Sequence, residues 1–211
     1  MKVLVLGVLL AAWSSVAAAR QADDGAQWRQ VYREDDITVW VRDVPVSGLH
    51  EIRARVVIEA PALRVWSVLN DTARFTEFMP YVVEARIVAP AADGHIEYQR
   101  IDPPFVGQRD YIVRVTSEHD ATSGTRWRRW SAVGARGPSP IDGVVRIEVN
   151  EGEWAVRADG EGRSIASYYL YTDPGGAIPA WIANRANRST VPKLMEAVRQ
   201  RSIDPDWRPA R

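Results

Sequence analysis

The stretch from Tyr81 to Thr172 most narrows what this 211-residue chain can fold into. It is cut by "PAADG", "DPPFVG", "DATSG", "GPSPIDG", "NEG" and "DGEG", whose Gly, Pro, Asp and Asn residues favour chain reversal. Between the cuts lie seven candidate strands: "YVVEARIV", "HIEYQRI", "RDYIVRVTSE", "TRWRRWSAV", "VVRIEVN", "EWAVRA" and "SIASYYLY". Short reversals join neighbouring strands antiparallel, and a long antiparallel sheet curls. Its concave face must be covered. The candidate cover is one long amphipathic helix from about Ala177 to Arg201.

The upstream segment completes the order. "DDGAQWRQVYRED" predicts a capped helix with Trp28, Val31 and Tyr32 on one face. "DITVWVRD" alternates Ile37, Val39 and Val41 against Thr38, Trp40 and Arg42, the period of a strand, and "LHEIRARVVIE" follows as a second. "APALRVWSVLND" starts a helix behind Pro61, and "TARFTEFMP" is a short helix ended by Pro80. The expected class is α+β, in one domain.

Hydrophobic residues make up 46% of the chain and the formal net charge is zero. That balance supports a sizeable core and argues against a general nucleic-acid binder. Nine tryptophans supply apolar area for a core or a cavity wall. With no cysteine, disulfides, thiolate catalysis and Cys-based zinc sites are excluded. "MKVLVLGVLLAAWSSVAAAR" carries one Lys, an apolar run and the small-residue end Ala17–Ala19. It reads as a signal peptide over residues 1–19, leaving 20–211 as one domain exported to the periplasm or secreted.

"YYLYTDPGGAIPAWIAN" followed by "VPKL", "PPFVGQRDYIV", and Val145-Arg146 ahead of Gly152-Glu153-Trp154 occur in this order. Together they resemble the START lipid-transfer domains, nearest the phosphatidylcholine-transfer-like branch, over about residues 26–201. The resemblance implies a helix-grip fold: a curved antiparallel sheet wrapped round a long C-terminal helix, with an internal hydrophobic tunnel. It also implies one bound lipid (phospholipid, sterol or similar), carried or transferred between membranes by a monomer that touches membrane surfaces transiently. The same resemblance admits a lipid sensor, or a cavity enzyme like the polyketide cyclases and dehydratases.

The resemblance places the gate at the "DPPFVG" loop, with Phe105 and Val106, and at the front of the last helix. There Ile178, Trp181, Ile182 and Arg185 share a face. Such a stripe can both pack and line. Pro192 predicts a kink or a fresh start near Ser189–Val191. Strand alternation offers Tyr111, Val113, Val115, Trp154 and Tyr169 as tunnel wall. Arg100 and Arg146 lie mid-strand and would bind a lipid phosphate if they face inward. Arg109-Asp110, matched to the family, is expected to be structural at the tunnel mouth. The buried acid–base pair of the sterol-binding branch has no evident counterpart. Arg185, Arg188, Lys193, Arg199 and Arg201, against the single acid Glu196, suit approach to an anionic bilayer.

Catalytic residues, metal ligands and cofactors are not expected. The three histidines, His50, His95 and His119, lack helical metal spacing, and "GPSPIDG" is a loop rather than a nucleophile elbow. His95, Glu97 and Tyr98 are the one group that could act as acid or base in a cavity.

Overall fold

The computed structural model describes residues 27–104, 106–134 and 136–208. The expected export signal and Phe105 lie outside them. The order is β1 (Arg29–Glu34), β2 (Ile37–Asp43), β3 (His50–Ile58) and α1 (Ala62–Asn70), then a 3-10 turn (Thr72–Arg74) and α2 (Phe75–Phe78). Next come β4 (Val82–Ala91), β5 (Gly94–Ile101), β6 (Arg109–His119), β7 (Arg126–Ala132), β8 (Val145–Arg146), β9 (Val149–Ala158) and β10 (Ser164–Asp173), and last α3 (Ala180–Ile203). One sheet runs β1-β2-β3-β10-β9-β7-β6-β5-β4, with β8 added parallel to β6. All other pairings are antiparallel. This is the helix-grip arrangement. Among the described residues no helix is long and apolar enough to cross a membrane.

Two local expectations about the strands are overturned. The first segment is a strand, not a helix. It pairs Arg29 with Val41 and Glu34 with Ile37, and the reversal uses Asp35 and Asp36 at φ 47° and 60°. Positive φ at both central residues is the tight-hairpin requirement, met here by Asp-Asp rather than Asn-Gly. A bulge between Gln30 and Tyr32 breaks the period-2 signal. The second is "NEG", which is no turn, because β9 runs through it. A Cβ on Gly152 would meet the Trp130 ring at 2.2 Å. Glycine is there so that the indole can lie against the strand.

The core fills one side of the concave face. Val39, Val41, Ile52, Val56 and Ile58 meet Val65 and Leu69 of α1 and Val191, Met195 and Val198 of α3. At about 25 cal/mol per Å2 of apolar surface, this packing anchors the rear of α3. Of the kink or fresh start expected near Ser189–Val191, the fresh start does not occur: one helix runs through Pro192.

Candidate functional site

The other side of the concave face is left open between the sheet, α2 and the middle of α3. The cavity there has a volume of about 200 Å3. Its walls are aliphatic and aromatic, with Val113, Val115, Leu170 and Leu194 beside Trp130, Trp154 and Tyr168. Tyr168 packs between the two indoles, 4.6 Å from Trp154 and 5.9 Å from Trp130 between ring centres. The Trp130 indole N–H donates to Asn150 Oδ1 at 3.0 Å, so the wall leaves that polar edge satisfied.

A charged cluster forms the polar part of the wall. Glu97 accepts from Arg128 Nη2 at 2.6 Å, Thr72 Oγ1 at 2.7 Å and Gln99 Nε2 at 2.5 Å, and His95 Nε2 lies 3.3 Å away. Tyr111 donates to Gln99 Oε1 at 2.7 Å, extending the chain along the wall. Burial alone would raise the Glu97 carboxyl, but the Arg128 charge and three hydrogen-bonding neighbours override it and hold it down at about 2. Burial pushes the Tyr111 and Tyr168 hydroxyls well above their ordinary value. Arg128 Nη1 is buried with no hydrogen-bond partner among the described residues.

The sequence reading named Glu97 as a possible cavity acid or base but did not bring Arg128 to it. Arg128 is the central arginine of "RWRRW", and its parity with Trp130 turns it inward. Glu97 and Arg128 stand on strands separated by β6, so sequence spacing could not bring them together.

Of the wall residues expected from alternation, Tyr111, Val113, Val115 and Trp154 line the cavity. Tyr169 does not. Its hydroxyl donates to Glu51 at 2.8 Å on the outer face, and Tyr168 and Leu170 take the inner one. Ile178 precedes α3, and Trp181, Ile182 and Arg185 sit outside the lining, with Trp181 66% exposed. Instead α3 presents Asn187, Thr190 and Leu194. The bulk of Trp181 and Ile182 suggested the wrong face, because the inward face near the helix start is polar. Asn184 lies on that face, 8% exposed, with one amide atom bonded to Gly48 of the β2–β3 loop and the other to His50, the first residue of β3.

Arg100 and Arg146 do not reach the cavity either. Arg100 bonds Gln108 at 3.0 Å and pairs with Glu84 at 3.3 Å. Arg146 grips Asp110 with two bonds of 2.7 and 2.8 Å, and Tyr98 donates to the same carboxylate at 3.2 Å. Arg109 is structural. It donates to the carbonyls of Val106, Gly107 and Pro174, tying the loop before β6 to the turn before α3. Val106 itself does not line the cavity. No group of three or more metal-ligating side chains occurs among the described residues.

Residues 58–199 match the family described as polyketide cyclase / dehydrase and lipid transport. An uncharacterized protein of Pseudomonas aeruginosa is 29% identical over 183 residues, 86% of this chain and 88% of that one. Human phosphatidylcholine transfer protein is 26% identical over 195 residues, covering 87% and 88%. The crystal structure of a STAR-related lipid transfer protein fragment from Xanthomonas axonopodis superposes with a TM-score of 0.75 at 29% identity, covering 83% of this chain and 98% of the fragment. With that fold, that cavity and those relatives, the chain belongs to the polyketide cyclase / dehydrase and lipid transport family, as a START-type helix-grip domain.

Proposed function

We propose that the protein binds one lipid in the interior cavity and carries it between membranes as an exported, monomeric, non-catalytic carrier. The observation that carries this reading is an interior cavity with aromatic and aliphatic walls and one charged cluster, Glu97 with Arg128. Such a site holds an apolar body by area and fixes one polar end by hydrogen bonds. The unshared Arg128 Nη1 donor is placed to bond an acceptor on that end. The relatives named for phosphatidylcholine transfer support the ligand class. A volume of about 200 Å3 is below the roughly 300–1,000 Å3 of ordinary ligand sites. A lipid therefore enters by moving α3 or the loops around its start. Trp181 and the fully exposed Val46 stand on these elements, with Arg185 and Arg188 exposed nearby on α3. They suit brief contact with an anionic bilayer.

Glu97 argues against acid–base chemistry. A general base works best with a pKa near the operating pH, and a carboxylate held near 2 by four partners is a poor one. His95 is spent on the same carboxylate. The test is native mass spectrometry of the mature protein purified from its source, followed by transfer between labelled and unlabelled vesicles. One lipid mass per chain and protein-dependent transfer are expected. Empty protein with no transfer, or chemical conversion of the bound molecule, overturns the proposal.

A further inference from the structure

On the face of the sheet turned away from α3, strand register aligns a row of side chains. Trp40 stands beside Arg53, Arg53 beside Tyr169, and Tyr169 beside Glu153. The adjoining row is Thr38, Arg55, Ser167 and Ala155. Ser167 and Ala155 are small, so a hollow opens where the second row meets the first. Trp28, just ahead of β1, closes over one side, with its ring centre 4.1 Å from the Arg53 guanidinium carbon. The resulting cleft has a volume of about 400 Å3.

Its charges are unbalanced. Glu51 is held by Arg42, and Glu153 by Arg129 at 2.5 Å. Among the described residues neither Arg53 nor Arg55 has a carboxylate within ion-pair distance. The two stand two residues apart on one strand and share a face, about 7 Å from each other. Like charges so placed repel, and an anion between them relieves the repulsion. A guanidinium stacked on an indole keeps its N–H groups free at the rim, in the fork that suits a carboxylate. The other walls of the cleft are the rings of Trp28, Trp40 and Tyr169, the small Ala54 and Ser167, an edge of Tyr168, and Glu153, whose charge Arg129 already takes.

We propose that this cleft is a second binding site, separate from the interior cavity, for a small aromatic carboxylate. The arginines take the carboxylate and the three rings take the aromatic body. A volume of about 400 Å3 holds a molecule of one or two rings and excludes a folded peptide segment. Strands β9 and β10 separate the two sites, with Trp154 and Leu170 inside, Glu153, Ser167 and Tyr169 outside, and Tyr168 touching both.

The proposal is tested by calorimetric titration of the mature chain with 2-naphthoate, alongside cyclohexanecarboxylate and 2-naphthol. Saturable one-to-one binding is expected for naphthoate, with the ring-free acid and the uncharged ring both much weaker. Arg55→Gln, at an exposed strand position, should weaken naphthoate about tenfold by loss of a charge-assisted bond. Trp28→Ala should weaken it similarly, while both variants load lipid as the parent does. Absence of saturable binding overturns the proposal. So does binding untouched by Arg55→Gln, which would place naphthoate in the interior cavity. Neither result bears on the lipid reading, which is scored by lipid loading alone.

Discussion

Arg128 Nη2 donates to Glu97 Oε2 across 2.6 Å inside the cavity wall, where Glu97 is 0% and Arg128 4% exposed. Such a pair is costly to break from one side, because the surviving charge stays buried. Glu97→Ala should cost about 3–5 kcal/mol of stability in urea unfolding. Replacing both, as Glu97→Leu with Arg128→Met, should cost clearly less than the single change. A single variant no worse than the double would mean that water reaches the pair.

The same carboxylate sets a pH dependence. Its folded value, about 2, lies below its ordinary value of 4.5. A group depressed on folding stabilises fully above the upper value and loses that contribution as pH falls through the lower one. Stability should therefore decline between pH 4.5 and about 2, and the slope there should flatten in Glu97→Gln. An unchanged slope in that variant would assign the acid loss to other carboxylates.

The sheet, its meander order and the closing helix were legible because period-2 alternation and turn residues are local signals. Part of the cavity wall followed from the same alternation, as with Val113 and Trp154. Three things were hidden. The Asp35-Asp36 hairpin uses a turn pair that composition does not advertise. Gly152 marks a close approach of Trp130, which only the folded sheet creates. The Glu97–Arg128 pair joins strands that are not neighbours, so no spacing rule reaches it. The inward face of α3 was misjudged because bulk was weighed above hydrogen bonding. Asn184, a polar residue, faces in, and Trp181 faces out.

Leu194 projects from α3 into the cavity and is half-buried. Leu194→Trp should fill the space that a lipid chain would take. Overpacking a closed core costs about 1–3 kcal/mol, but here the added ring has a void to enter. Lipid loading in native mass spectra should be lost while the melting temperature stays near that of the parent. Normal loading in a folded Leu194→Trp protein would move the ligand elsewhere.

The start of α3 is fastened to the β2–β3 loop by one side chain. Asn184 accepts from the His50 amide and donates to the Gly48 carbonyl, both at 2.9 Å. If α3 opens to pass a lipid, this fastening must part. Two hydrogen bonds contribute about 1 kcal/mol each, so Asn184→Ala should speed lipid exchange and deprotect the His50 amide. A covalent version tests the converse. A Cβ at position 48 would lie 3.6 Å from that of Ala180, inside the roughly 3.5–4.5 Å span of disulfides. Gly48 sits at φ +67°, so a cysteine there costs about 1–2 kcal/mol. Closing a loop of over a hundred residues, worth about 4–5 kcal/mol in the chain-entropy account, more than offsets it. The chain has no cysteine of its own, so the Gly48→Cys, Ala180→Cys pair is unambiguous. Oxidised protein should keep lipid already bound and stop exchanging it, and reduction should restore exchange. Exchange at the reduced rate while oxidised would show that the front of α3 stays shut and that lipid leaves past another wall.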